Sequence, residues 1–194
     1  SNNALIPDAD KEDILASKPF DWPFLWNGLR MNSWDDNSIK FYLLGNPVIW
    51  WASSASLIVF GATWLWYMMR RQRRIQDLSP ADWAHFLYVG KIAAFGWILH
   101  YLPFLIMARV CYLHHYLPIL YFAVIMLAHL LDHFLWRPTT AMYYLGGRQR
   151  KPLPEGLKNL AFLLSVLAVT SSFWWFRNNS YGFQGDVKRH KGLK

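Results

Sequence analysis

Arg109, His114 and His115 are the side chains in this 194-residue chain best suited to hold an anion. They fall between and beside two copies of one tetrapeptide, His100-Tyr101-Leu102-Pro103 and His115-Tyr116-Leu117-Pro118, at a short turn joining two long apolar runs. Tyr101, Tyr112 and Tyr116 add hydroxyl groups to the same turn. A guanidinium can hold two phosphate oxygens at once, and imidazoles can add charge-assisted hydrogen bonds. Polar groups crowded beside apolar helices are costly to keep near lipid, so they tend to serve a purpose. The phosphate of a lipid-linked molecule would present itself at this depth. The expected phosphate-binding set is therefore Arg109, His114, His115 and Tyr116. The alternative is a tight turn whose polar groups simply face headgroup water.

Two other groupings invite a chemical reading. His129 and His133 stand four residues apart, on one helical face, a spacing that can bind a metal. The remaining histidines are His85, His100, His114, His115 and His190, and three of these belong to the opposite membrane face. The expectation is therefore no metal, with helix-to-helix hydrogen bonding as the role of His129 and His133. Lys91 and Asp132 each lie inside an apolar run, and the runs should pack together. A buried Lys91–Asp132 ion pair would relieve the cost of two charges in lipid; the rival is snorkelling of Lys91 alone. Cys111 is the single cysteine, which excludes an internal disulfide framework and a cysteine-based zinc site. No nucleophile elbow, Walker loop, inward carboxylate pair or Cys-His dyad appears, so no complete catalytic site is expected in these residues.

The elements that must position these groups are membrane-spanning helices. Hydrophobic residues make up 54% of the chain and aromatics 18%, with 12 Trp. The net charge of +8 alone would permit a nucleic-acid partner, but the basic residues cluster beside apolar runs, as in the loops of a membrane protein. Four runs are long enough to cross about 30 Å of hydrocarbon: residues 48–69, 83–107, 113–136 and 157–176. Asn46-Pro47 and Ser79-Pro80 read as helix starts, with Pro in the first turn. Arg70, Arg71, Arg73 and Arg74 follow the first run, and Arg137, Arg148, Arg150 and Lys151 the third. The positive-inside rule makes both basic loops cytosolic, and puts the hairpin and both chain ends on the other side. Three parts follow: residues 1–47, a linker with an interfacial aromatic segment around Phe20–Trp26; residues 48–176, the four-helix domain; and residues 177–194, a basic tail. The start at Ser1 rather than Met fits a fragment or a processed product.

Several stretches resemble the C-terminal part of the protein O-mannosyltransferases. They are Trp22-Pro23-Phe24-Leu25 with Gly28-Leu29-Arg30-Met31, Trp34-Asp35-Asp36, the run Lys40 to Trp51, and the doubled Leu99-His100-Tyr101-Leu102-Pro103-Phe104 and Leu113-His114-His115-Tyr116-Leu117-Pro118. The resemblance covers residues 10–190 and is similar above all to fungal members that form heterodimers. It implies an all-α membrane protein, the last four transmembrane helices of a GT-C-type glycosyltransferase with an N-terminal lumenal, interfacial segment. It also implies a multi-pass protein of the endoplasmic reticulum membrane. The donor would be dolichyl phosphate mannose, with no other cofactor, and the acceptors Ser and Thr of secretory-pathway proteins. The catalytic acid would lie in a loop outside this chain, so the chain alone should be inactive. The alternative is a non-catalytic membrane module that positions a lipid or a partner subunit.

Overall fold

The computed structural model describes residues 15–35, 38–107, 110–137 and 153–185. Four helices are long and apolar enough to span a membrane, as expected. Helix α1 runs Pro47–Gln72, α2 Pro80–Ile106 and α4 Glu155–Tyr181. The third span is composite: a 3-10 turn over Leu113–Tyr116, helix α3 over Leu117–Leu131, and a π-helical turn over Asp132–Trp136.

Local chemistry sets the helix ends. The Asn46 side chain accepts from the N–H groups of Val48 (3.1 Å) and Ile49 (3.4 Å), and Pro47 fills the first helical position. The Ser79 hydroxyl accepts from the Asp82 N–H at 3.1 Å in front of Pro80. Pro103 sits one turn before the end of α2, where its carbonyl still accepts from the Met107 N–H at 2.9 Å. Helix α4 passes the expected end at Phe176 and runs on to Tyr181. Arg177 stabilises that extra turn: its guanidinium lies 4.2 Å from the Trp174 ring centre and donates to the Trp174 carbonyl at 2.7 Å.

Helix α3 is the centre of the bundle, with Ile119, Ala123 and Met126 fully buried between α1 and α2. Gly90 of α2 admits the Phe60 ring of α1, and Gly96 admits Phe122 of α3; a Cβ at either glycine would collide with that ring. Helix α4 is peripheral. Its apolar residues stay unburied, whereas the third span buries a good part of its own. It is tied on at its middle, where Asn46 Nδ2 donates to the Val169 carbonyl at 3.1 Å, and just past its end, where Phe183 pairs with Lys40 through two backbone bonds of 3.0 and 3.1 Å.

The segment before α1 caps this same end. A 3-10 turn over Pro19–Phe24 leads into a short antiparallel pair, β1 (Leu29–Arg30) and β2 (Tyr42–Leu43). Lys40 is fully buried, its ammonium donating to the carbonyls of Asp35 (2.8 Å) and Ser38 (3.2 Å). The Tyr42 hydroxyl accepts from the Gly28 N–H at 3.0 Å, and burial pushes that hydroxyl's pKa up. The start of α1, the end of α2, the hairpin and the end of α4 therefore share one capped end. The opposite, basic end carries Arg70, Arg71, Arg73 and Arg74, with the Arg70 Nε–Asp77 ion pair at 2.6 Å. The basic residues Arg148, Arg150 and Lys151, and residues 186–194 of the tail, lie outside the described residues.

Candidate functional site at the capped hairpin

The hairpin between α2 and α3 is held from above by the segment before α1. The Ser17 N–H donates to the Cys111 carbonyl at 2.8 Å, and the Tyr101 hydroxyl donates to the Pro19 carbonyl at 2.8 Å. Trp22 is the keystone of this contact, 1% exposed. Its indole N–H donates to Ser17 Oγ at 2.8 Å, and its carbonyl accepts from Trp50 Nε1 at 2.6 Å. Its ring meets Phe104 at 5.4 Å edge-on, and Tyr116 and His115 at 6.0 and 6.4 Å. Aromatic rings at these separations gain beyond simple burial. The expected interfacial segment is thus half docked: Trp22 points inward, while Phe20, Phe24 and Trp26 stay exposed.

The expected anion-binding residues take different places. His114 is exposed, its ring stacked on Tyr112 at 5.7 Å and 4.2 Å from the ring of His115. His115 is half-buried against Phe104 and Trp22. Its Nδ1 lies 3.0 Å from both the N and the O of Tyr112, which commits that nitrogen to closing the turn. Tyr116 does not fit the expected set. It is fully buried among Trp22, Trp50 and Tyr101, and its hydroxyl accepts from Trp97 Nε1 at 3.4 Å. The cause is helical register: Tyr116 opens α3 on the face that carries buried Ile119. His100, outside that set, packs its ring on Phe122 at 4.9 Å, and its Nδ1 lies 2.8 Å from the Gly96 carbonyl. Arg109 lies outside the described residues.

At the basic end, the expected Lys91–Asp132 pair is not formed. Lys91 is exposed, and the ion pairs found among the described residues include Arg70–Asp77 and Lys158–Glu155 but not Lys91–Asp132. The buried face of α2 carries Phe86, Gly90 and Ala93, so Lys91, one position beyond Gly90, is turned roughly 100° away. His129 and His133 do join helices. His129 Nε2 is 3.1 Å from the Phe86 carbonyl, and His133 Nε2 is 2.9 Å from the Tyr67 hydroxyl. Among the described residues no group of three or more His, Cys, Asp or Glu is placed to hold a metal ion.

The docked aromatic cap and the paired hairpin histidines coincide with a family match over the entire chain. Residues 1–194 match the family model described as the C-terminal four-transmembrane region of protein O-mannosyltransferase. The chain belongs to the protein O-mannosyltransferase family. It is 37% identical over 201 residues to dolichyl-phosphate-mannose–protein mannosyltransferase 2 of Candida albicans, covering 100% of this chain and 25% of that protein. It is 43% identical over 137 residues to dolichyl-phosphate-mannose–protein mannosyltransferase 6 of Saccharomyces cerevisiae, covering 71% of this chain and 18% of that protein. The chain thus spans about a quarter of the length of the curated mannosyltransferases it matches. Its fold is also similar to a chain of the S. cerevisiae protein O-mannosyltransferase Pmt1-Pmt2 complex bound to the sugar donor. The TM-score is 0.70 at 24% identity, over 100% of this chain and 27% of that one. In this family member the segment least legible as a site component was Trp22 with its neighbours. Its aromatic density flagged a membrane interface, but not a brace for the hairpin.

Proposed function

We propose that this chain is the C-terminal membrane part of an enzyme that moves mannose from dolichyl phosphate mannose to Ser or Thr hydroxyls of secretory-pathway proteins. The observation that carries the reading is the family match over all 194 residues. In the reaction an acceptor oxygen attacks the anomeric carbon while its proton passes to a carboxylate base. The bond from that carbon to the phosphate oxygen breaks, and dolichyl phosphate leaves with the electron pair. The base belongs to a part of the enzyme outside this chain. The setting is the endoplasmic reticulum membrane, with the capped end in the lumen and the basic end in the cytosol, and the working form is a heterodimer with a second family member. The relatives' names and the solved complex of two mannosyltransferases support this reading.

Within it, the hairpin binds the donor phosphate. Arg109 supplies a two-pronged guanidinium, His114 an exposed imidazole, and His115 its Nε2 atom. These donors stabilise the charge that grows on the leaving phosphate. Tyr116 acts in packing. Donor-concentration kinetics on the full-length enzyme test the assignment. Arg109→Ala should lower donor use about ten- to a hundredfold, the worth of one charge-assisted bond of about 1.5–3 kcal/mol. Arg109→Lys should recover only part, since an ammonium cannot fork. Near-normal parameters for both, and for His114→Ala, would reduce the hairpin to structure. No mannose transfer by the full-length protein from this donor to an acceptor peptide would overturn the wider reading.

A further inference from the structure

We propose that Lys91 and Tyr88 mark the face of α2 on which a membrane-spanning helix from another part of the full-length polypeptide docks, bringing an Asp or Glu carboxylate to both side chains. Lys91 is exposed on the outward face of α2, and Tyr88, one turn before it, is exposed as well. Residues three apart on a helix are neighbours, so the ammonium and the phenol can serve one acceptor. Among the described residues neither side chain makes a hydrogen bond or an ion pair. Asp132 does not supply the acceptor, because the third span packs on the Phe86 face of α2, where His129 and His133 meet that ring.

Depth decides against lipid as the neighbour. Arg71 lies 4.7 Å from the Trp83 ring centre and Arg70 pairs with Asp77, so the start of α2 stands at the headgroup level. From Trp83 to Lys91 the axis advances about 12 Å at 1.5 Å per residue. Half of the hydrocarbon core is about 15 Å, so the Lys91 backbone lies near the middle of the bilayer. A four-carbon stem reaches about 6 Å, half of the way back. Snorkelling serves lysines near helix ends; here it leaves the ammonium in hydrocarbon. A charge at that depth needs one of opposite sign. A carboxylate supplies it and has two oxygens, one for the ammonium and one for the Tyr88 hydroxyl. Ile92 and Phe95, exposed beside the pair, offer the packing surface that membrane helices use. The chain spans about a quarter of its relatives' length, so most membrane segments available to it belong to the rest of the same polypeptide. A carboxylate there is met as the chain assembles, whereas one on a second subunit would leave Lys91 in lipid until the subunits join.

The test uses the full-length protein in its native membranes with the photoreactive substitution Phe95→p-benzoylphenylalanine, which leaves Lys91 and Tyr88 intact. Irradiation should join α2 to a membrane-spanning peptide of the same polypeptide, outside these 194 residues, that carries an Asp or Glu near mid-membrane. Lys91→Met should lower the thermal midpoint of the full-length protein, because the carboxylate is left without its cation, and Lys91→Arg should keep most of it. A lysine facing lipid gives the opposite sign: Lys91→Met then removes a costly charge and leaves the midpoint unchanged or raised, which would overturn the proposal. Lipid adducts alone, a crosslink to a second subunit, or a captured peptide without an acid would overturn it too. The crosslink is read with Lys91 in place, so it decides the matter even where Lys91→Met fails to fold.

Discussion

Trp22 shows how one side chain outside the hydrocarbon can fix a site at its edge. It touches the ends of α1 and α2 and the turn that starts α3, and it spends both its indole N–H and its carbonyl on hydrogen bonds. At this depth the competitor for its surface is water, so the hydrophobic effect acts on it fully. It acts only weakly between helices surrounded by lipid. Trp22→Ala should leave a large cavity and cost about 3–5 kcal/mol. The full-length protein should show a lowered thermal midpoint and early proteolysis between residues 15 and 30. Trp22→Phe should lose less, since the ring contacts persist and only the bond to Ser17 goes. A midpoint unchanged by Trp22→Ala would show that the entry turn is not what holds the hairpin.

Among the elements, α3 lies between α1 and α2, and α1 reaches α2 through the Phe60 ring. The close point depends on Gly90 having no side chain, because a Cβ there would run into the Phe60 ring. Gly90→Ala should therefore destabilise by about 1–3 kcal/mol, the usual cost of overpacking. Trimming the partner should relieve it: Phe60→Leu with Gly90→Ala should be less destabilised than the sum of the two single changes. Thermal midpoints of the three variants in one detergent give the coupling directly, and strict additivity would mean the two residues are not in contact. The third span shows a different compromise. Its last turn opens into a π-helical form at Asp132–Trp136, where the Arg137 N–H reaches the Asp132 carbonyl at 2.7 Å. That widening lies beside the His133–Tyr67 bond that links the third span to α1.

For the whole molecule the open choice is orientation. With four crossings, the helix order places residues 72 and 149 beyond the basic ends of α1 and the third span. Single cysteines at Gln72 and Gln149 in an otherwise cysteine-free full-length protein should react with an impermeant maleimide in sealed, right-side-out microsomes. The cytosolic face is the accessible one there, so a cysteine at Trp26, on the other side, should react only after permeabilisation. Protection at 72 or 149 in sealed vesicles would invert the topology. The isolated 194-residue chain should transfer no mannose; detectable transfer by it alone would move the catalytic base into these residues.

The number of helices, their approximate ends and the basic character of one side were legible in the sequence because they are local. Run length is set by bilayer thickness, and Asn46-Pro47 and Ser79-Pro80 carry their own capping chemistry. The helix-joining role of His129 and His133 was also readable, because their spacing alone permitted a metal but most of the other histidines belong to the opposite membrane face. The way each helix is turned was not. In lipid, apolar side chains suit both the bundle interior and the membrane, so the apolar pattern gives little sign of which face packs inward. That is why Lys91 faces out, His100 leaves the hairpin for Phe122, Tyr116 is sealed in the core, and α4 stands at the edge. Only the tertiary structure brought Trp22 onto His115 and Tyr116, since residues nearly a hundred positions apart meet through packing that no local signal encodes.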